Sequence, residues 1–181
     1  MCCTCFFSAH IFAQSHRPKT QGFAGVWTSV RHATLSLVME RMVAARAAGK
    51  SLTIMCTGHS LGGAMATLAA WDIATLLCGF PADAYTIRCY TFGMPRVGDH
   101  TFAALYKRLV PDTWDVANNQ DVVPKMTKWM RVYKRTGHRV IIRKTRGGRS
   151  TLQSDVAGDI IVRPTWVEMH VLQVCITPAY K

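Results

Sequence analysis

The chain has 181 residues, of which 49% are hydrophobic, and its 22 Lys and Arg against 10 Asp and Glu give a formal net charge of +12. That length and apolar content suit one domain with a substantial core, and no run reaches the roughly 18 apolar residues of a membrane-crossing helix. The positive balance favours anionic surfaces without choosing among lipid headgroups, nucleic acid and acidic partners, while seven cysteines, none at zinc-site spacing, cannot all pair within the chain.

Residues 1–20, "MCCTCFFSAHIFAQSHRPKT", form a terminal segment of undetermined order, set apart from a single domain over 21–181 that has no internal repeats. The apolar stretch Phe6–Ala13 is similar to a signal-peptide core but no positive residue precedes it, and Cys2, Cys3 and Cys5 would equally suit acylation. No compartment is assigned. From Phe23, the residues Val26, Trp27, Val30, Ala33, Leu37, Val38 and Met42 recur at three- and four-residue steps, which predicts an amphipathic helix ending near Gly49. Leu52–Thr57 predicts a buried strand. A helix follows from Leu61, with Ala64, Met65, Leu68, Ala69, Ile73 and Leu76 on its periodic face and Gly79 as its stop. Ala84–Phe92 is a second strand, His100–Val110 a short helix, and Thr113–Met126 a strand running into a loop closed by Pro124. Met130–Lys144 predicts a hairpin turning at Thr136-Gly137. Strands alternating with helices imply βαβ units, so the fold class is α/β with a mostly parallel sheet, flanking helices and a late antiparallel element. Within it, Cys56 and Cys89 sit in apolar strands and read as buried thiols.

Between the first strand and its helix stands Gly58-His59-Ser60-Leu61-Gly62. A serine between two glycines at a strand-to-helix junction is held on a strained turn, with the free N–H groups of the helix N-terminus aimed above its hydroxyl. The competing reading makes Ser60 a plain helix N-cap. A serine hydroxyl attacks near neutral pH only with a base to take its proton and a carboxylate to orient that base, and behind such an elbow the chain order is Ser, acid, His. Among the downstream acids, Asp121 follows a strand in a loop, where open α/β sheets place their sites, and Asp115 within the same strand is the runner-up. Asp72 lies inside the elbow helix and points away from the strand ends. After Asp121 the histidines are His138, at the predicted hairpin turn among Arg and Lys, and His170, near the C-terminus; His170 suits the chain order better and composition does not decide between them. His59 cannot reach back to its neighbour's hydroxyl.

The stretches "TQGFAGVWTSV", "TGHSLGGAMATLAA", "YTFGMPRVGD" and "ANNQDVVPKM", in that order, resemble the successive motifs of the class 3 lipases, the fungal-type triacylglycerol lipases, over about residues 20–175. The resemblance implies an α/β-hydrolase fold, N-terminally incomplete, and a serine hydrolase that cleaves carboxylic esters of lipids. It implies Ser60 as nucleophile, Asp121 as acid, His170 as base, and the backbone N–H of Leu61 as one oxyanion donor. No metal or organic cofactor is called for, and the partner is a lipid ester substrate. The sequence departs from the family pattern at several places. Gln21 stands where a histidine usually precedes Gly22-Phe23, Arg135 takes the histidine place in the Tyr-x-His-x-Gly motif, and Met169 precedes His170. No Arg-Gly-Ser/Thr turn precedes Gln21, so the second oxyanion donor and most of the lid region are missing from the pattern, and one lost donor costs about a hundredfold or more in rate. That departure favours the alternative of a lipase-like binding or scaffold protein without catalysis.

Ten basic residues and no acidic one lie between Lys125 and Arg149. The bland reading is a solvated hairpin face; the functional one is peripheral contact with anionic lipid headgroups. The segment lacks the interleaved aromatics of a single-strand platform, so nucleic acid is not expected as a partner.

Overall fold

The computed structural model describes residues 21–126, 132–144 and 150–154. Among them the elements run α1 (Gln21–Ala47), β1 (Leu52–His59), α2 (Leu61–Leu77), β2 (Tyr85–Phe92), α3 (His100–Leu109), β3 (Thr113–Asn118), α4 (Val123–Met126), β4 (His138–Lys144) and β5 (Ser150–Ser154). The five strands lie side by side in sequence order. β1 to β4 are mutually parallel and β5 runs antiparallel to β4. The expected mostly parallel sheet with a late antiparallel element is therefore present.

Helix α1 stops where its sequence says it should. Gly49 takes φ +65°, its N–H donates to Arg46 O at 3.0 Å, and Lys50 N–H donates to Ala45 O at 2.9 Å. This pair of bonds satisfies the last carbonyls, and only glycine takes that backbone conformation without strain. The buried face of α1 is narrower than its apolar pattern predicts. Trp27 and Met42 are buried with Leu35 and Val38 packed beside the core, whereas Val26, Val30 and Leu37 are 43%, 43% and 50% exposed. Helix α1 is fixed to α2 by polar contacts as well: Trp27 Nε1 and Arg31 Nε both donate to Asp72 Oδ2, at 2.7 and 2.6 Å. Asp72 thus faces α1, away from the strand ends, as expected.

The core lies between α2, α3 and one face of the sheet. Ala66, Ala70 and Ala74 of α2 are small enough to let it lie close to β1 and β2, and Trp71 packs on Phe102 and Tyr106 of α3 at ring-centroid distances of 5.1 and 6.4 Å. Burying each of these large side chains contributes about 1.5–3 kcal/mol. Cys56 and Cys89 are neighbours in the β1–β2 register and both are free, buried thiols. On the other face of the sheet Thr53, Met55 and Thr57 of β1 are exposed, Met55 by 60%.

The predicted turn at Thr136-Gly137 is not a hairpin. Residues 132–137 cross toward the N-terminal end of β4, with Lys134 bridging to Gly98, and the hairpin is the one formed by β4 and β5. Gly137 is required for another reason: a Cβ there would stand 2.5 Å from Thr113 Cγ2. The glycine serves close packing against β3 rather than turning the chain.

Candidate active site

Ser60 follows the last residue of β1 and precedes the first residue of α2. It has φ 52° and ψ −122° and is the only non-glycine residue with positive φ among the described residues. Such a conformation costs about 1–3 kcal/mol and persists only where the surroundings impose it. They do so here through the backbone: Ser60 N–H donates to Phe92 O at 2.9 Å, and Ser60 O accepts from Gly63 N–H at 3.0 Å and from Ala64 N–H at 3.3 Å. The Ser60 side chain makes no capping hydrogen bond to α2. The reading of Ser60 as a side-chain N-cap therefore fails.

The glycines around the serine divide differently from the motif. A Cβ on Gly58 would overlap the Gly62 carbonyl and stand 2.7 Å from Gly63 N, and one on Gly63 would stand 2.7 Å from Met94 Cβ. At Gly62 a Cβ would meet nothing within 4 Å. The close approach of strand and helix thus rests on Gly58 and Gly63. Leu61 is the first residue of α2, so its N–H is one of those a helix leaves without an internal acceptor. The Leu61 side chain is 43% exposed beside it.

Asp121 lies just past β3, in a turn held by its own side chain. Its Oδ1 accepts from Val123 N–H at 2.9 Å and its N–H donates to Asn118 O at 3.1 Å, while Pro124 behind it is fully buried. Gly93 directly follows β2 with φ +58°, and its N–H donates to Val116 O at 2.8 Å. A Cβ on Gly93 would stand 2.7 Å from Asp121 Oδ2 and 3.6 Å from His59 Nε2. The carboxyl ends of three neighbouring parallel strands therefore bring Ser60, Gly93 and Asp121 to one edge of the sheet, where α/β sheets carry their sites.

The other candidates separate on position. Asp115 is buried mid-strand on the helix-covered face, where it pairs with Arg135 and lies beside Arg139 in the β3–β4 register. Burial pushes its carboxyl above the usual range, opposed by the guanidinium groups of Arg135, Arg139 and Arg96. It is an internal ion-pair residue and not an acid at the strand ends. His138 begins β4 and packs on Trp114 at the start of β3, with ring centroids 5.1 Å apart, at the opposite end of the sheet from Ser60. His170 lies outside the described residues. Of the basic run, Arg135 turns inward to Asp115 and Arg139 is half-buried, so that stretch is not one solvated face. Gly93 and His59 were not singled out for this corner by the sequence. Their only local signal is a glycine directly after a strand, and its meaning comes from a side chain 28 positions further on.

The profile of the family described as "Lipase (class 3)" matches residues 8–130. Among curated proteins, a secreted mono- and diacylglycerol lipase of Fusarium solani is 33% identical over 115 residues, covering 64% of this chain and 31% of the relative. The chloroplastic phospholipase A(1) DAD1 of Arabidopsis thaliana is 34% identical over 107 residues, covering 58% of this chain and 23% of the relative. Among solved structures, a Rhizomucor miehei lipase propeptide complex superposes with a TM-score of 0.58 at 26% identity, over 76% of this chain and 42% of the other. A Rhizopus microsporus var. chinensis lipase gives the same TM-score at 25% identity, over 76% and 46%. The α/β-hydrolase fold of these lipases is the fold of the described sheet and helices. The chain spans less than a third of the length of those two curated relatives.

Proposed function

The chain belongs to the class 3 lipase family, and from that membership and the geometry at its strand ends we propose that it is a serine hydrolase that cleaves carboxylic esters of lipids through an acyl-enzyme. The observation that carries this reading is Ser60 itself, a serine held at positive φ with its hydroxyl not spent on capping α2 and a helix N-terminus behind it. The curated relatives act on acylglycerols and phospholipids by name, which supports a fatty-acyl ester as the bond cleaved.

In the proposed reaction His170 takes the Ser60 proton as Oγ attacks the ester carbonyl, and the oxyanion that forms is met by the Leu61 N–H. The tetrahedral intermediate collapses when the imidazolium returns that proton to the departing alcohol, leaving Ser60 acylated. Water then attacks the acyl carbonyl, gives its proton to the same imidazole, and the fatty acid leaves as Ser60 Oγ is reprotonated. Asp121 holds the imidazole in the tautomer that accepts from serine and faces the positive charge it acquires. The Val123 N–H, already bonded to Oδ1, holds the carboxylate in place for this role.

Labelling with a fluorophosphonate probe tests the reading directly. The parent chain is expected to label, and Ser60→Ala and His170→Ala are expected to lose about a millionfold in acylation when they act as one unit. A folded parent that does not label is a lipase-like protein without catalysis, and the hydrolase reading is then wrong.

A further inference from the structure

Asp121 uses only one oxygen to hold its own turn. Oδ1 accepts from Val123 N–H, while Oδ2 lies over Gly93, 2.7 Å from the point a Cβ would occupy. The next atoms nearest that point are His59 Nε2 at 3.6 Å and Cδ2 at 3.7 Å. The missing side chain of Gly93 therefore opens a notch at the end of β2, and the imidazole from β1 and the carboxylate from the β3 turn share it. His59 is exposed, so its ring contributes little as packing. Its peptide also adjoins Ser60, so the elbow that raises the nucleophile fixes where this ring starts.

We propose that His59 is a positioning residue for Asp121, donating from Nε2 to Oδ2 directly or through one water. This inference rests on the hydrolase reading above. A carboxylate that accepts a hydrogen bond at each oxygen is held more firmly than one bonded at a single oxygen. A fixed acid fixes the base that acts on Ser60, and a misplacement of even 1 Å is costly in rate. His59 thus acts through Asp121 and not on the serine hydroxyl.

The test is p-nitrophenyl butyrate hydrolysis and fluorophosphonate labelling by the parent, His59→Phe, His59→Gln, and Asp121→Asn with and without His59→Phe. His59→Phe keeps a ring without a donor and is expected to lose about tenfold in kcat, with KM and melting temperature unchanged. His59→Gln places an amide donor near the position of Nε2 and is expected to recover most of that loss. In the Asp121→Asn background His59→Phe is expected to cost less than about twofold, because residues acting through one another are not additive. Parent-like turnover by His59→Phe overturns the proposal, as does equal impairment of the Phe and Gln variants or a full loss that persists beside Asp121→Asn. Should His59→Phe fail to fold, His59→Ala takes its place under the same criteria. Ser60-dependent labelling of the parent with an indifferent His59 overturns this inference alone, whereas a parent that does not label overturns the hydrolase reading and this inference with it.

Discussion

Two aspartates six positions apart on one strand and its turn have opposite surroundings. Asp115 sits mid-strand under the helices, paired with Arg135 and neighboured by Arg96 and Arg139. Asp121 stands past the strand end, with one oxygen held by a backbone N–H and the other over a glycine. The first is an acid taken up by the fold, and the second is the acid that the proposed reaction uses. Position along the strand separates them where residue type does not.

That contrast can be broken most directly by the matched substitutions Asp121→Asn and Asp115→Asn. Asparagine keeps an oxygen for Val123 N–H, so Asp121→Asn is expected to lose about ten-thousandfold in kcat with little change in unfolding free energy. Asp115→Asn leaves a cluster of guanidinium groups without its anion and is expected to destabilise by about 3 kcal/mol, while each folded molecule still labels. Equal stability losses in a urea titration, or equal activity losses, would remove the distinction.

A second pair sharpens the account of the elbow. Gly58→Ala forces a Cβ into the Gly62 carbonyl and is expected to cost about 3 kcal/mol with loss of labelling. Gly62→Ala meets open space in the first turn of α2 and is expected to raise stability by up to about 1 kcal/mol with labelling retained. Thermal melts and probe labelling of both variants check this, and a Gly62→Ala as damaged as Gly58→Ala would show that the motif spacing, not the contact, governs the turn.

A pH-dependent contrast concerns the paired strands beneath the elbow. Burial pushes the Cys56 thiol up from an ordinary 9.0 to about 12, with Cys89 adding to the rise. The unfolded chain therefore releases that proton first as pH rises through 9, and the stability this thiol contributes is present below pH 9 and lost progressively toward about 12. Unfolding free energies measured from pH 8 to 11 are expected to fall less steeply in Cys56→Ala than in the parent.

The sequence carried the parts of this structure that are local. The apolar run before Ser60 and the periodic alanines after it specify β1, the elbow and α2 without help from the rest of the chain, and the Asp-Val-Val-Pro turn announces Asp121 in the same way. What failed was decided by contacts between distant residues. Thr136-Gly137 carries turn chemistry, yet Gly137 is there because Thr113 leaves no room. β5, Ser150–Ser154, has only Leu152 to mark it and exists because β4 offers an edge. Helix α1 has apolar residues on more than one face, so periodicity alone did not say which of them Asp72 and the core would draw inward. The notch at Gly93 is a meeting of three strand ends, and no window of sequence contains it.

The Asp115–Arg135 clamp has one more consequence, and it is mechanical. β3 is fastened at mid-length by that pair and along both edges by its neighbours, so it behaves as a beam fixed in the body of the protein. Asp121 then projects only three residues beyond Asn118, the last rung of the β3–β4 ladder, a cantilever too short to bend far. Substitutions at Asn119 and Gln120 can retune the overhang, while the beam holds the carboxylate at a fixed height above the sheet.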